Sequence, residues 1–91
     1  MNTSDEPRQR NVIGEKLRAL RTKEGVSQKI LAARLQTEGL NVSDLIILRI
    51  ENGTRYVHDY EVAAIAKHYK ISTDELLGLN DTGAKRGTKN V

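Results

Sequence analysis

Two nine-residue stretches decide the fold: SQKILAARL at residues 27–35 and SDLIILRIE at residues 43–51. Each opens with a serine, whose hydroxyl can accept a hydrogen bond from a free backbone N–H group at the start of a helix. In the first stretch Leu31, Ala32 and Leu35 share one helical face, and Gly39 follows as a stop signal. In the second stretch Ile47 and Ile50 supply the apolar back. The pattern predicts two short consecutive helices that meet at a steep angle, a helix-turn-helix.

The helical pattern continues on both sides of this pair. No segment outside it has the alternating pattern that is typical of a strand, so we expect five helices in an all-α domain over residues 11–79. The boundary residues of the outer helices are Asn11 and Gly25 for the first helix, Asp59 and Tyr69 for the fourth, and Ser72 with Glu75, a capping-box pattern, for the fifth.

Composition excludes several classes of function. The 91 residues include no cysteine and only two histidines, so we expect no disulfide and no metal site. The sequence has no nucleophilic cysteine, no glycine-rich phosphate loop and no serine with a plausible His–carboxylate pair. We therefore expect that the protein is not an enzyme and that it binds no cofactor. No apolar run approaches the roughly 20 residues that span a bilayer, which predicts a cytoplasmic protein without a membrane partner.

Charge is unevenly distributed along the chain, whose net charge is +3. Residues 1–10 and 80–91 are polar, and we expect both to be disordered tails, the second of them basic. Within the predicted domain, the bases between residues 12 and 34 outnumber the acids, whereas residues 35–79 are acidic overall. This predicts a basic patch on the first two helices, formed by Lys16, Arg18, Arg21, Lys23, Lys29 and Arg34.

Motifs in a fixed order over residues 13–77 carry a resemblance to a known family. They are IGEKLRALR (13–21), GVSQ (25–28), LAARL (31–35), RIENGTR (49–55), IAK (65–67) and ISTDELL (71–77). Together they resemble the lambda repressor and Cro type of helix-turn-helix domain, also called the XRE family. The resemblance implies a five-helix transcriptional regulator that reads the major groove of double-stranded DNA with the helix at about residues 43–52. It also implies a homodimer on a two-fold operator, associated with the nucleoid.

The resemblance further implies which residues contact DNA. At the start of the second helix the glutamine of the family typically grips phosphate, and the loop after the recognition helix lies along the DNA backbone. The candidate residues are Ser27, Gln28 and Lys29 at the second helix; Ser43, Asp44, Leu45, Ile46 and Arg49 on the recognition helix; and Asn52, Thr54, Arg55 and Tyr56 in the loop. Two alternatives stay open: Arg49 in an intramolecular ion pair, and Tyr56 in half-buried packing. Glu51 is interpreted as structural.

Three features depart from the family pattern. Ile30 stands where the family often has an acidic residue that completes a capping box with Ser27. Residues 36–42 make a longer connection than usual, and we expect the second helix to be extended before it ends at Gly39. The recognition helix is apolar where base readout normally uses Arg, Lys, Asn or Gln. Three interpretations of Leu45, Ile46 and Leu48 remain: some of them fill an enlarged core, or they contact a protein, or they touch thymine methyl groups. The alternative function is therefore an antitoxin-like or adaptor protein that binds a protein partner through this helix and the apolar Ile30.

Overall fold

The computed structural model describes residues 9–79. This part of the chain consists of helices joined by loops and contains no strand. The predicted all-α fold with five helices is confirmed. None of these helices is long and apolar enough to cross a membrane. The helices are α1 (Gly14–Glu24), α2 (Gln28–Thr37), α3 (Asp44–Glu51), α4 (Asp59–Tyr69) and α5 (Thr73–Leu77).

The predicted disordered tails lie outside the described residues, except for Gln9 and Arg10. The backbone N–H group of Arg10 donates to the carbonyl of Gly53 at 2.8 Å, so the chain enters α1 alongside the loop that follows α3.

Serine caps begin three of the helices, as the sequence predicts. The hydroxyl oxygens of Ser27, Ser43 and Ser72 accept from the backbone N–H group three residues later, at 3.0, 3.2 and 3.0 Å. These bonds satisfy N–H groups that have no partner within the helix. The starts of α2 and α3 are therefore fixed by local sequence.

Asn11 fixes the start of α1 and ties it to the end of α3. Ile13 occupies the N-cap position, but the Asn11 side-chain oxygen accepts from the N–H groups of Ile13 and Gly14 at 3.1 and 2.8 Å. Its amide nitrogen donates to the carbonyls of Ile50 and Arg55 at 3.1 and 2.8 Å. One side chain thus holds α1, α3 and the following loop together.

Gly14 allows the close approach of these two helices. A Cβ atom at this position would overlap the carbonyl oxygen of Ile50 and lie 3.0 Å from the carbonyl oxygen of Glu51. Since both atoms belong to the backbone, no side-chain rotation relieves the overlap. The glycine therefore sets the position of α3 against α1.

The connection between α2 and α3 is helical only at its start. Only Gln36 and Thr37 continue the helix past Leu35, and residues 38–43 form a loop instead of a longer helix. Gly39 has a φ of +101°, a left-handed conformation that a continuing helix does not use. The loop then turns inward, because Leu40 and Val42 are both buried in the core. The extra residues enlarge the core rather than the helix.

Aliphatic side chains from all five helices form the core. Ile47 and Ile50 of α3 are fully buried, as predicted, and pack the inner face of α3 against the core. The other fully buried large side chains are Ile13, Leu17, Leu31, Leu35, Val42, Ile65 and Leu76.

Candidate nucleic-acid interface

α3 presents one continuous face to solvent. Its exposed residues follow one another at intervals of one and three positions, which places them on a single stripe of a helix with 3.6 residues per turn. Opposite this stripe lie the buried Ile47, Ile50 and Glu51. The stripe consists of Asp44, Leu45, Leu48, Arg49 and, at the C-cap, Asn52. Ser43 is exposed at the N-terminal end, whereas Ile46 is half-buried against the core.

A buried carboxylate holds this helix in place. The side chain of Glu51 has no exposed surface, and the Arg21 guanidinium donates to both of its oxygens at 2.6 and 2.8 Å. Arg21 also donates to the carbonyl of Val26 at 2.9 Å, in the turn before α2. Burial raises the pKa of Glu51, but the hydrogen bonds from Arg21 and Gln28 outweigh it, and the pKa lies below the ordinary value. Glu51 is structural, as predicted, and its main partner is Arg21.

Gln28 belongs to the same network. Its amide nitrogen donates to Glu51 at 3.0 Å, and the side chain is half-buried. The amide therefore braces the start of α2 against the end of α3. The phosphate contact that the family resemblance implies for Gln28 stays a prediction. Next to it, Lys29 is exposed and borders a shallow cleft between α2 and α3 together with Ser43 and Asp44.

The loop after α3 is fastened by a second buried carboxylate. Arg55 donates to the two oxygens of Glu61 at 2.9 and 3.2 Å, and Glu61 also accepts from the N–H group of His58 at 2.9 Å. Burial raises the pKa of Glu61, but the hydrogen bonds from Arg55 and His58 outweigh this effect, and the pKa lies below its ordinary value. The charge of Arg55 is thus balanced within the protein, and the sequence analysis missed the contribution of Glu61.

Three loop residues remain accessible. Asn52 accepts from Arg18 at 3.0 Å, and the Thr54 hydroxyl donates to the carbonyl of Arg49 at 3.3 Å, yet both side chains lie at the surface. Tyr56 is 68% exposed, which excludes half-buried packing, and the Arg10 guanidinium lies 5.4 Å from its ring centroid. These groups border the exposed stripe of α3 on its C-terminal side.

A family model described as a helix-turn-helix domain matches residues 12–79, which include all five helices. The chain belongs to this family. The match is consistent with the resemblance to the lambda repressor and Cro type, and it supports DNA binding as the activity of the protein. Neither the search of curated proteins nor the search of solved structures returned a significant match.

The basic patch of this helix-turn-helix domain is smaller than predicted. Arg21 is committed to Glu51, and Arg18 lies 3.5 Å from the same carboxylate. Arg34 pairs with Glu24 at 2.9 Å, and Lys16 lies 3.6 Å from Glu75. A count of charged residues along the sequence does not reveal these ion pairs, because each pair joins residues on different helices.

Arg49 is the basic residue on the exposed stripe of α3 in the helix-turn-helix domain. Within residues 9–79 it forms no ion pair. The suggested intramolecular ion pair of Arg49 is therefore absent from the described part of the chain. Lys29, at the start of α2, is likewise exposed without an ion pair among these residues.

Proposed function

We propose that the protein is a sequence-specific DNA-binding transcriptional regulator that inserts α3 into the major groove. The observation that carries the proposal is the exposed stripe from Asp44 to Asn52, held rigid by the buried isoleucines and by the Arg21–Glu51 pair. A major groove about 12 Å wide admits one α-helix, whose exposed side chains then meet base edges. In this arrangement residues 11–79 are the DNA-binding domain.

Phosphate contacts come from both sides of the stripe. Lys29 and the exposed Ser27 lie at the N-terminus of α2, where the helix dipole favours an anion. Asn52, Thr54 and Tyr56 lie at the other side and offer polar groups to the sugar-phosphate backbone. Gln28 and Arg55 act mainly by holding the two sides in position, since their side chains already bind buried carboxylates.

Assembly as a homodimer on a two-fold operator completes the proposal. A single α3 of eight residues contacts only a few base pairs. A second copy of the protein is therefore needed to recognise a longer DNA sequence. In a dimer the two α3 helices lie about 34 Å apart, one turn of the duplex. The protein then acts in the cytoplasm, at the nucleoid.

The proposal is tested by selecting bound duplexes from a random pool and measuring the affinity for a selected duplex and for a shuffled control. We expect the selected duplex to bind at least about 1,000-fold more tightly at physiological salt. The logarithm of the affinity should fall with the logarithm of the salt concentration by about one unit of slope for each neutralised phosphate. Equal affinity for the two duplexes would rule out sequence-specific readout.

A second candidate function rests on apolar side chains at the surface. Leu45 is 48% exposed, Leu48 37% and Ile30 46%. An antitoxin-like or adaptor protein would bury them against a protein partner. This candidate predicts that no duplex is enriched in the selection, and that Leu45→Ala prevents association with the partner without loss of helical structure.

A further inference from the structure

Two leucines occupy the middle of the stripe on α3. Leu45 and Leu48 are 48% and 37% exposed, with Asp44 before them and Arg49 after them. The interpretation that some of the three apolar residues fill the core holds for Ile46 alone, which packs against it. Leu40 and Val42 from the preceding loop occupy the core instead. The two leucines are free to contact whatever binds α3.

We propose that Leu45 and Leu48 read C5-methyl groups of pyrimidines on neighbouring base pairs in the major groove. The inference rests on the proposed function and names the base edge that α3 recognises. A leucine side chain has no donor or acceptor, so it distinguishes bases only through apolar atoms. In the major groove of unmodified DNA, the apolar group on a base edge is the methyl of thymine.

The spacing of the two leucines fits this role. Residues three apart on a helix are separated by about 4.5 Å along its axis, and successive base pairs by about 3.4 Å. Zinc-finger helices in the major groove use this three-residue spacing to contact successive bases. Leu45 and Leu48 therefore face adjacent base pairs, which predicts a step with a methyl group on each pair.

The residues that flank the leucines favour DNA over a protein partner. Arg49 can donate two hydrogen bonds to guanine, and Asp44 can accept one from the amino group of cytosine. A stable protein interface buries about 800 Å² on each partner, whereas the stripe offers two leucines between opposite charges. Ile30, another exposed aliphatic residue, lies on a different helix. The stripe as a whole fits a methyl-bearing step flanked by G·C pairs.

The experiment replaces thymine by deoxyuridine in a selected duplex, which removes the methyl group and leaves the hydrogen-bonding groups intact. We expect the full-length protein to bind about fourfold less tightly for each contacted methyl group that is lost. Leu45→Ala and Leu48→Ala should each bind the thymine duplex less tightly than the wild type does. In each variant the affinity ratio between the thymine and deoxyuridine duplexes should be smaller, because one methyl contact is already missing. Leu79→Ala, which truncates an exposed leucine beyond α5, should keep the full difference. Circular dichroism of each variant establishes that the fold is retained.

The outcomes separate this inference from the proposed function. Equal affinity for the thymine and deoxyuridine duplexes, with the selected duplex still preferred over the shuffled one, would overturn methyl readout and leave the proposed function intact. Failure to enrich any duplex would overturn both. A further arm replaces cytosine by 5-methylcytosine, and tighter binding that Leu45→Ala or Leu48→Ala abolishes would support methyl readout with methylated cytosine as the source.

Discussion

Replacing Arg21 by alanine is expected to lower the free energy of unfolding by about 3–5 kcal/mol, because the change leaves the carboxylate of Glu51 buried without its main partner. Arg21 is only 14% exposed, and its three hydrogen bonds to Glu51 and to the carbonyl of Val26 are lost together. Urea unfolding followed by circular dichroism measures the effect. Lys23→Ala is the matched control, since Lys23 is an exposed base on the same helix, and we expect it to cost less than about 0.5 kcal/mol.

The destabilisation caused by Arg21→Ala should depend on pH. In the wild type the pKa of Glu51 lies below its ordinary value of 4.5, so the stabilisation from this group is present above pH 4.5 and is lost as the pH falls through the folded pKa. Without Arg21, burial raises the pKa of Glu51, and protonation removes the unpaired charge. The difference between variant and wild type should therefore shrink from pH 7 to pH 4. A loss below 1 kcal/mol at pH 7, or the same loss at both pH values, would contradict the role given to the pair.

Reversing the charge of Arg49 is expected to weaken DNA binding about 100-fold. Arg49→Glu removes a cation of α3 that forms no ion pair within residues 9–79, and it places a carboxylate against the phosphates. A bidentate contact to guanine alone contributes about 1–3 kcal/mol of discrimination. Because the side chain is exposed and Glu is a good helix former, the free energy of unfolding should change little. Fluorescence anisotropy with a selected duplex measures the affinity.

Lys67→Glu is the control for net charge. Lys67 is exposed on α4, and its reversal changes the charge of the protein by the same amount as Arg49→Glu. We expect a loss of affinity of no more than a few-fold, caused by the weaker long-range attraction between protein and DNA. If the two reversals weakened binding equally, the charge of the whole protein rather than the face of α3 would govern affinity.

Local sequence signals predicted the elements of the fold well. The serine caps, the glycine stop after α1 and the apolar spacing of α3 each act within one turn of helix, so they are visible in a single stretch of chain. The extra residues between α2 and α3 were harder to interpret, because the burial of Leu40 and Val42 depends on packing against the other helices and not on a local signal.

Sequence could not assign the ion pairs, for a geometric reason. Arg49 is two residues from Glu51, but a two-residue separation turns a helix by about 200° and directs the two side chains to opposite faces. Arg21, 30 residues earlier, reaches the carboxylate because Gly14 and Asn11 bring α1 against the end of α3. The same argument explains why the predicted basic patch was too large: four of its six bases have acidic neighbours on other helices.

Chemical-shift mapping of backbone amides during titration with a selected duplex tests most directly whether α3 is the DNA-binding element. The account predicts that the largest perturbations fall in residues 27–29 and 43–56, with small changes in α4 and α5. Perturbations concentrated in α4 and α5, with the amides of residues 43–52 unchanged, would contradict it.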